Sequence, residues 1–148
     1  MANELSTMKS IAQARAKFAW ECASKYNASD TDTEEQKKRK KKEKDDYSAV
    51  VDKVPTYIKT NGLLNTLAFL YSKKSGSGKQ GEVLNNIHTW LTNKNKNEYH
   101  LLNETLNTDL KLLEHLTDPT KVTARDLIQC TTEVLALFNW LRRFAKSE

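Results

Sequence analysis

In the last quarter of the chain, side chains recur at intervals of three and four. Between Asp118 and Lys146, the positions Leu127, Thr131, Val134, Phe138, Leu141 and Ala145 form one stripe of an α-helix. Leu137, Trp140 and Phe144 form a second stripe on a neighbouring face. A helix apolar on two faces is buried between several partners. Two starts fit it. Asp118 caps it with Pro119 in the first turn, or Thr123 caps it with Asp126 three residues on. Its end carries Arg142, Arg143 and Lys146, where the helix dipole favours positive charge. Trp140 and Leu141 are both expected to be largely buried.

The same spacing predicts a first helix over residues 4–26. Leu5, Met8, Ala12, Ala19 and Tyr26 lie near one side, and Ile11, Phe18 and Cys22 lie beside them. Residues 27–46 break the pattern, because Ala28 is the only apolar residue before Tyr47. Nothing there offsets the entropy of ordering, so this stretch is expected to be a charged, mobile insertion. Tyr47, Val50, Val51, Val54 and Ile58 resume helical spacing, and Pro55 must kink that helix or restart it. Asn61-Gly62 is a stop. Leu63, Leu64, Leu67, Ala68, Leu70 and Tyr71 define the next helix, and Val83, Leu84, Ile87, Trp90 and Leu91 a short one. Tyr99, Leu102, Leu106, Leu110, Leu113 and Leu116 space a longer helix over residues 98–116. No stretch alternates as a strand does. The prediction is all-α: a compact bundle of about six helices with a buried C-terminal helix, in a single domain spanning residues 1–148.

Composition changes this picture little, and charge changes it more. Four glycines and two prolines suit a helical fold. Two cysteines, Cys22 and Cys130, make neither a disulfide framework nor a four-ligand zinc site. A reduced cytoplasmic chain is expected, with no signal sequence and no membrane span. The formal net charge is +5. Residues 30–46 hold seven acids and seven bases, so the surplus belongs to the rest of the chain. The run from Lys37 to Lys44 fits a nucleic-acid patch, and fits equally a solvated helix extension or a loop.

Catalytic patterns are absent. Gly78-Lys79 resembles part of a phosphate-binding loop, but Lys73 stands where its first glycine belongs and Gln80 replaces its hydroxyl. His88, His100 and His115 form no zinc-protease pair, and neither cysteine sits in a nucleophile signature. No cofactor, metal or catalytic residue is expected. Exposed bases at helix ends and rims suit phosphate contact without base reading, and equally suit an ordinary soluble surface.

Two stretches carry a more specific pattern. Tyr47, Pro55, Asn61-Gly62-Leu63, Leu67-Ala68-Phe69 and Ser72-Lys73 follow one another in residues 47–74, and Thr131, Glu133 and Trp140 to Ala145 close the chain. With Arg15, Phe18 and Ala19 near the start, this resembles the Cmr small-subunit family of type III-B CRISPR RNA-guided effector complexes. The resemblance departs in residues 27–46 and 93–116. It implies a non-catalytic helical subunit that stacks along a filament beside backbone and large subunits. It further implies contact with the backbones of CRISPR RNA and target RNA, while guide pairing supplies specificity and other subunits cleave.

The candidate contacts are Arg15, Lys17 and Lys25 on the first helix, Lys73 and Lys74 at the end of the central one, and Arg142, Arg143 and Lys146 at the last. Arg15, Lys73, Arg142 and Arg143 fall within the family-like stretches. Arg143 has a competing internal role, pairing with Glu133 or capping the final carbonyls. Two functions compete with RNA contact: a helical module that bridges proteins without touching RNA, and a small enzyme using a histidine or carboxylate in a pocket of convergent ionisable groups.

Overall fold

In the computed structural model, residues 2–92, 101–103 and 105–146 are described, with side chains from residue 11 onward. Six helices follow in order: α1 (Ala2–Ser24), α2 (Glu34–Asn61), α3 (Leu63–Lys73), α4 (Gln80–Thr92), α5 (Asp109–Leu116) and α6 (Ala124–Phe144). No strand occurs among the described residues. The all-α bundle expected from apolar spacing is what the chain forms.

α6 packs chiefly along α1 and also touches α2 and α4. It buries Cys130, Val134, Leu137, Phe138 and Leu141. Leu141 is fully buried as expected, but Trp140 and Phe144 are only partly covered, because the second stripe turns towards the edge of the bundle. Thr123 and Asp126 supply a complete capping box for α6. Asp118 serves a separate turn instead. Its carboxylate accepts hydrogen bonds from the Thr120 N–H at 2.9 Å and hydroxyl at 2.6 Å, and its carbonyl accepts from Lys121 and Val122.

The most enclosed helix is α4, which touches α2, α3, α5 and α6. Val83, Leu84 and every residue from Asn86 to Thr92 are buried. Its buried Asn86, His88 and Thr92 side chains find partners, as a low-dielectric interior requires. The Tyr47 hydroxyl donates to the Asn86 side-chain oxygen Oδ1, and the Thr92 hydroxyl donates to the His88 backbone carbonyl. His88, fully buried, meets the Asp109 carboxylate at Nδ1 and the Leu106 carbonyl at Nε2. His88 therefore packs and ties α4 to the start of α5.

Within residues 27–46, expected to be a charged, mobile insertion, the lysine run takes the helix-extension alternative. Residues 34–46 are the first half of α2, continuous with the half that buries Tyr47, Val51, Val54, Pro55 and Ile58. Three causes act together. Thr33 and Gln36 form a capping box, and Glu34 and Glu35 favour the positive end of the helix dipole. Lysine, arginine, glutamine and glutamate are good helix formers. The packed second half supplies the nucleus, so extension needs no core of its own. Lys40 pairs with Asp32 at 2.7 Å and Lys44 donates to Asn27 at 2.7 Å, tying the helix to the α1–α2 connection. Pro55 neither ends nor restarts α2; the helix continues through it.

The helix expected over residues 98–116 is shorter. Residues 93–100 lie outside the described residues, and α5 begins only at Asp109, capped by Thr108. Leu101 and Leu102 direct their N–H groups to the Leu91 carbonyl, and the Asn103 side chain accepts from the Thr105 N–H. Asn and Thr side chains that bond nearby backbone compete with a helix ladder, whatever the leucine spacing. Ala12, placed on the apolar side of α1, is exposed.

A single residue separates α2 from α3. Gly62 adopts φ 86° and ψ 162°, a region essentially restricted to glycine, and its N–H reaches the Ile58 carbonyl at 2.7 Å. An added Cβ would meet nothing within 4 Å, so substitution acts through the backbone alone. Gly62→Ala is expected to destabilise the fold by about 1–3 kcal/mol. Urea unfolding checks this, and an unchanged midpoint would show that the corner relaxes freely.

Candidate nucleic-acid interface

The eight candidate bases lie on α1, α3 and α6 or just beyond their ends, and their surroundings separate them into three groups. Arg15 projects from α1 onto α6, where Nε and a terminal nitrogen donate to the two Glu133 carboxylate oxygens at 2.7 and 2.8 Å. The Trp90 indole donates to the same carboxylate at 2.9 Å. Glu133 hydrogen-bonding raises the Arg15 pKa. Burial opposes Glu133 ionisation, but the Arg15 and Trp90 hydrogen bonds outweigh it and hold the carboxyl below its ordinary range. This bidentate pair locks α1 to α6 and occupies Arg15 internally. Glu133 is thus paired with Arg15 and not with Arg143.

Three other candidates face single carboxylates at the surface. Lys25 meets Glu82, Lys74 meets Asp109 at 3.0 Å, and Arg142 meets Asp52 at 3.4 Å. Exposed pairs of this kind are worth little and exchange readily for another anion. Lys74 is the most engaged of them, because it also lies over the Tyr71 ring. The remaining four, Lys17, Lys73, Arg143 and Lys146, are exposed and make no ion pair with any described residue. Arg143 lies in the last turn of α6 and Lys146 two residues beyond its end, Lys73 ends α3, and Lys17 lies on α1.

The structure adds a feature absent from the sequence reading. A groove of about 660 Å³ runs between α2 and the α3–α4 connection. Val50, Val54, Tyr57 and Phe69 line its apolar part, and Lys42, Lys53 and Lys79 its basic part. The Tyr57 and Phe69 rings stack at 5.2 Å between centroids and 24° between planes, and Phe69 is 37% exposed. Lys42, Asp46, Ala49, Lys53 and Tyr57 repeat every three or four residues, so they share one face of α2. That periodicity was the available signal, obscured because the lysine run looked separate from the helix that follows.

A second aromatic cluster joins α1 to the end of α6. Trp20 meets Phe144 edge-on at 5.3 Å, and Phe144 stacks with Trp140 at 5.9 Å. Trp20 remains 52% exposed.

No group of three or more His, Cys, Asp or Glu among the described residues is placed to hold a metal ion. Burial pushes the Cys22 thiol up to about 12 and the Cys130 thiol up to about 11, which suppresses both thiolates. His100 lies outside the described residues. No helix among the described residues is long and apolar enough to cross a membrane.

Comparison with known families places this helical bundle. The family model described as CRISPR-associated protein (Cas_Cmr5) matches residues 11–148, which takes in α2 to α6 and the part of α1 from Ile11 onward. The match includes the segments around Asn61-Gly62-Leu63 and Trp140 to Ala145, and it also covers residues 27–46 and 93–116, where the resemblance had thinned. The chain therefore belongs to the Cas_Cmr5 family, the small subunits of the Cmr complexes of type III-B CRISPR systems.

Proposed function

We propose that this chain is a non-catalytic structural subunit of a Cmr effector complex, working in the cytoplasm and contacting the backbones of CRISPR RNA and target RNA through its exposed bases. It stacks with copies of itself and with the backbone and large subunits, and cleavage falls to other chains. The observation that carries the RNA reading is that Lys17, Lys73, Arg143 and Lys146 are exposed and hold no carboxylate of the described chain. Cations left in water are the ones available to replace counterions on a phosphate backbone. Lys25, Lys74 and Arg142 form a weaker reserve, and Arg15 acts as a strut.

A site of about three phosphates on single-stranded RNA loses affinity roughly 20-fold for a fourfold rise in salt. Repeated copies along one RNA add avidity, so weak single sites suffice. The test is charge reversal at Lys17, Lys73, Arg143 and Lys146 in assembled complexes, after circular dichroism has verified helicity. Target-RNA affinity is expected to fall and its salt dependence to flatten. Unchanged affinity with an unchanged salt slope would favour the second reading, a module that bridges proteins only. The exposed Trp20 beside Phe144 is the observation on that side.

A further inference from the structure

We propose that the groove between α2 and the α3–α4 connection takes an unpaired RNA base, stacked on Phe69, with the adjoining phosphates on Lys42, Lys53 and Lys79. The inference rests on the reading that RNA is a ligand of this chain, and it adds recognition of the base plane to contact with the backbone.

Three observations converge on this site. The first is a prepared stack. Tyr57 and Phe69 already lie ring on ring at 5.2 Å, and both line the groove, so a planar base extends an existing pair. Phe69 sits on α3 between Ala68 and Leu70; Leu70 is buried, whereas Phe69 is 37% exposed. The second is shape. A groove of about 660 Å³ with Val50 and Val54 in its lining falls within the range of small-ligand sites. An exposed phenylalanine on a flat surface would need no explanation, but one stacked inside a groove offers a defined place for a ring. The third is charge. The lining carries three lysines against one aspartate, and Asp46 already faces Lys42 at 3.8 Å. Lys42 and Lys53 lie on one face of α2, eleven residues and about 16 Å apart along the axis. Lys79 approaches from the other wall, its ammonium 5.3 Å from the Tyr26 ring centroid.

An aromatic platform beside spaced cations is the chemistry by which proteins hold single-stranded nucleic acid without reading its sequence. A duplex does not suit it, because paired bases keep their faces stacked within the helix. An acidic or neutral peptide would use the lysines or the rings, but not the pairing of a flat face with flanking phosphates.

The test compares two fluorescent oligoribonucleotides of equal length and charge, one oligouridylate and one abasic, binding to the full chain. Oligouridylate is expected to bind about 5- to 100-fold more tightly. Phe69→Ala should bring the ratio close to one, while Phe69→Trp should preserve it. Lys73→Glu with Arg143→Glu should weaken both oligonucleotides and leave the ratio unchanged. Photocrosslinking from 5-iodouridine should land on Tyr57 or Phe69. Because Phe69 is partly exposed, its alanine variant should fold; Lys53→Glu gives a second variant that leaves the aromatic pair intact and should weaken both probes. Equal binding of the two probes to the wild-type chain overturns this inference and leaves backbone contact standing. Binding of neither also overturns this inference, while backbone contact is decided by the charge-reversed assembled complexes. Sedimentation showing a dimer that Phe69→Ala dissolves also overturns it, since another copy would then cover the groove.

Discussion

Leu141→Ala is expected to destabilise the protein by about 2–5 kcal/mol, seen as a lower urea midpoint with little change in slope. Leu141 is fully buried on α6, within the core to which α1, α2 and α4 also contribute. Truncation removes three heavy atoms from that core and leaves a cavity that rigid neighbouring helices fill only in part. The same helix supplies an internal control. Ile128 is another branched aliphatic residue on α6, but it is 65% exposed. Ile128→Ala should lie within about 0.5 kcal/mol of the wild type, since alanine also favours a helix. Equal losses at the two positions would mean that α6 does not face the core as described. Circular dichroism of both variants should retain the helical signal under native conditions.

The parts of the fold written in apolar spacing were legible, and those written otherwise were not. The core stripe of α6, the buried faces of α3 and α4, and the stop at Gly62 all follow from local rules. The first half of α2 follows a different rule. It has a capping box and good helix formers but almost no apolar residues, so a reading based on periodicity mistakes it for an insertion. Leu102 and Leu106 show the converse error. They keep helical spacing, but their backbone belongs to turns set by Asn103 and by the Leu91 carbonyl. Completeness of burial was also hard to see. α4 contains Asn86, His88, Thr89 and Thr92, which suggest a solvent face until Tyr47, Asp109 and Leu106 are found bonded to Asn86 and His88.

The candidate site was legible as chemistry and not as geometry. Sequence identifies which residues are basic, but not which carboxylate each one meets. Arg15 and Glu133 are 118 positions apart, and no local rule pairs them. The rival pairing of Glu133 with Arg143 stayed within one helix, where ten residues place the two about 15 Å apart along the axis. The groove shows the same limit. Tyr57 belongs to α2 and Phe69 to α3, and the Gly62 corner folds the two helices against each other. The aromatic pair exists only once that corner forms.

Glu133→Ala is expected to cost about 3 kcal/mol at neutral pH, because it leaves the Arg15 charge and the Trp90 N–H without their acceptor. The side chains of Arg15 and Glu133 are 24% and 16% exposed, which places the pair between a surface bridge and a buried one. Its pH dependence follows from the Glu133 shift. The folded-state pKa lies below the ordinary 4.5, so the unfolded chain binds the proton more tightly than the folded one. The stabilisation is therefore fully present above the ordinary carboxylate range, and is lost as pH falls through the lower folded value. Glu133→Gln separates charge from shape. The amide keeps one acceptor for Arg15 but presents an NH₂ group where the second carboxylate oxygen was. Urea midpoints of wild type and Glu133→Gln should differ most near pH 7 and converge as pH falls below about 4.5. Asp32, Asp109, Asp118 and Asp126 are also held below their ordinary range, but they titrate in both proteins and cancel in the difference. A difference that stays constant from pH 7 to pH 3 would show that packing at Glu133, rather than its charge, joins α1 to α6.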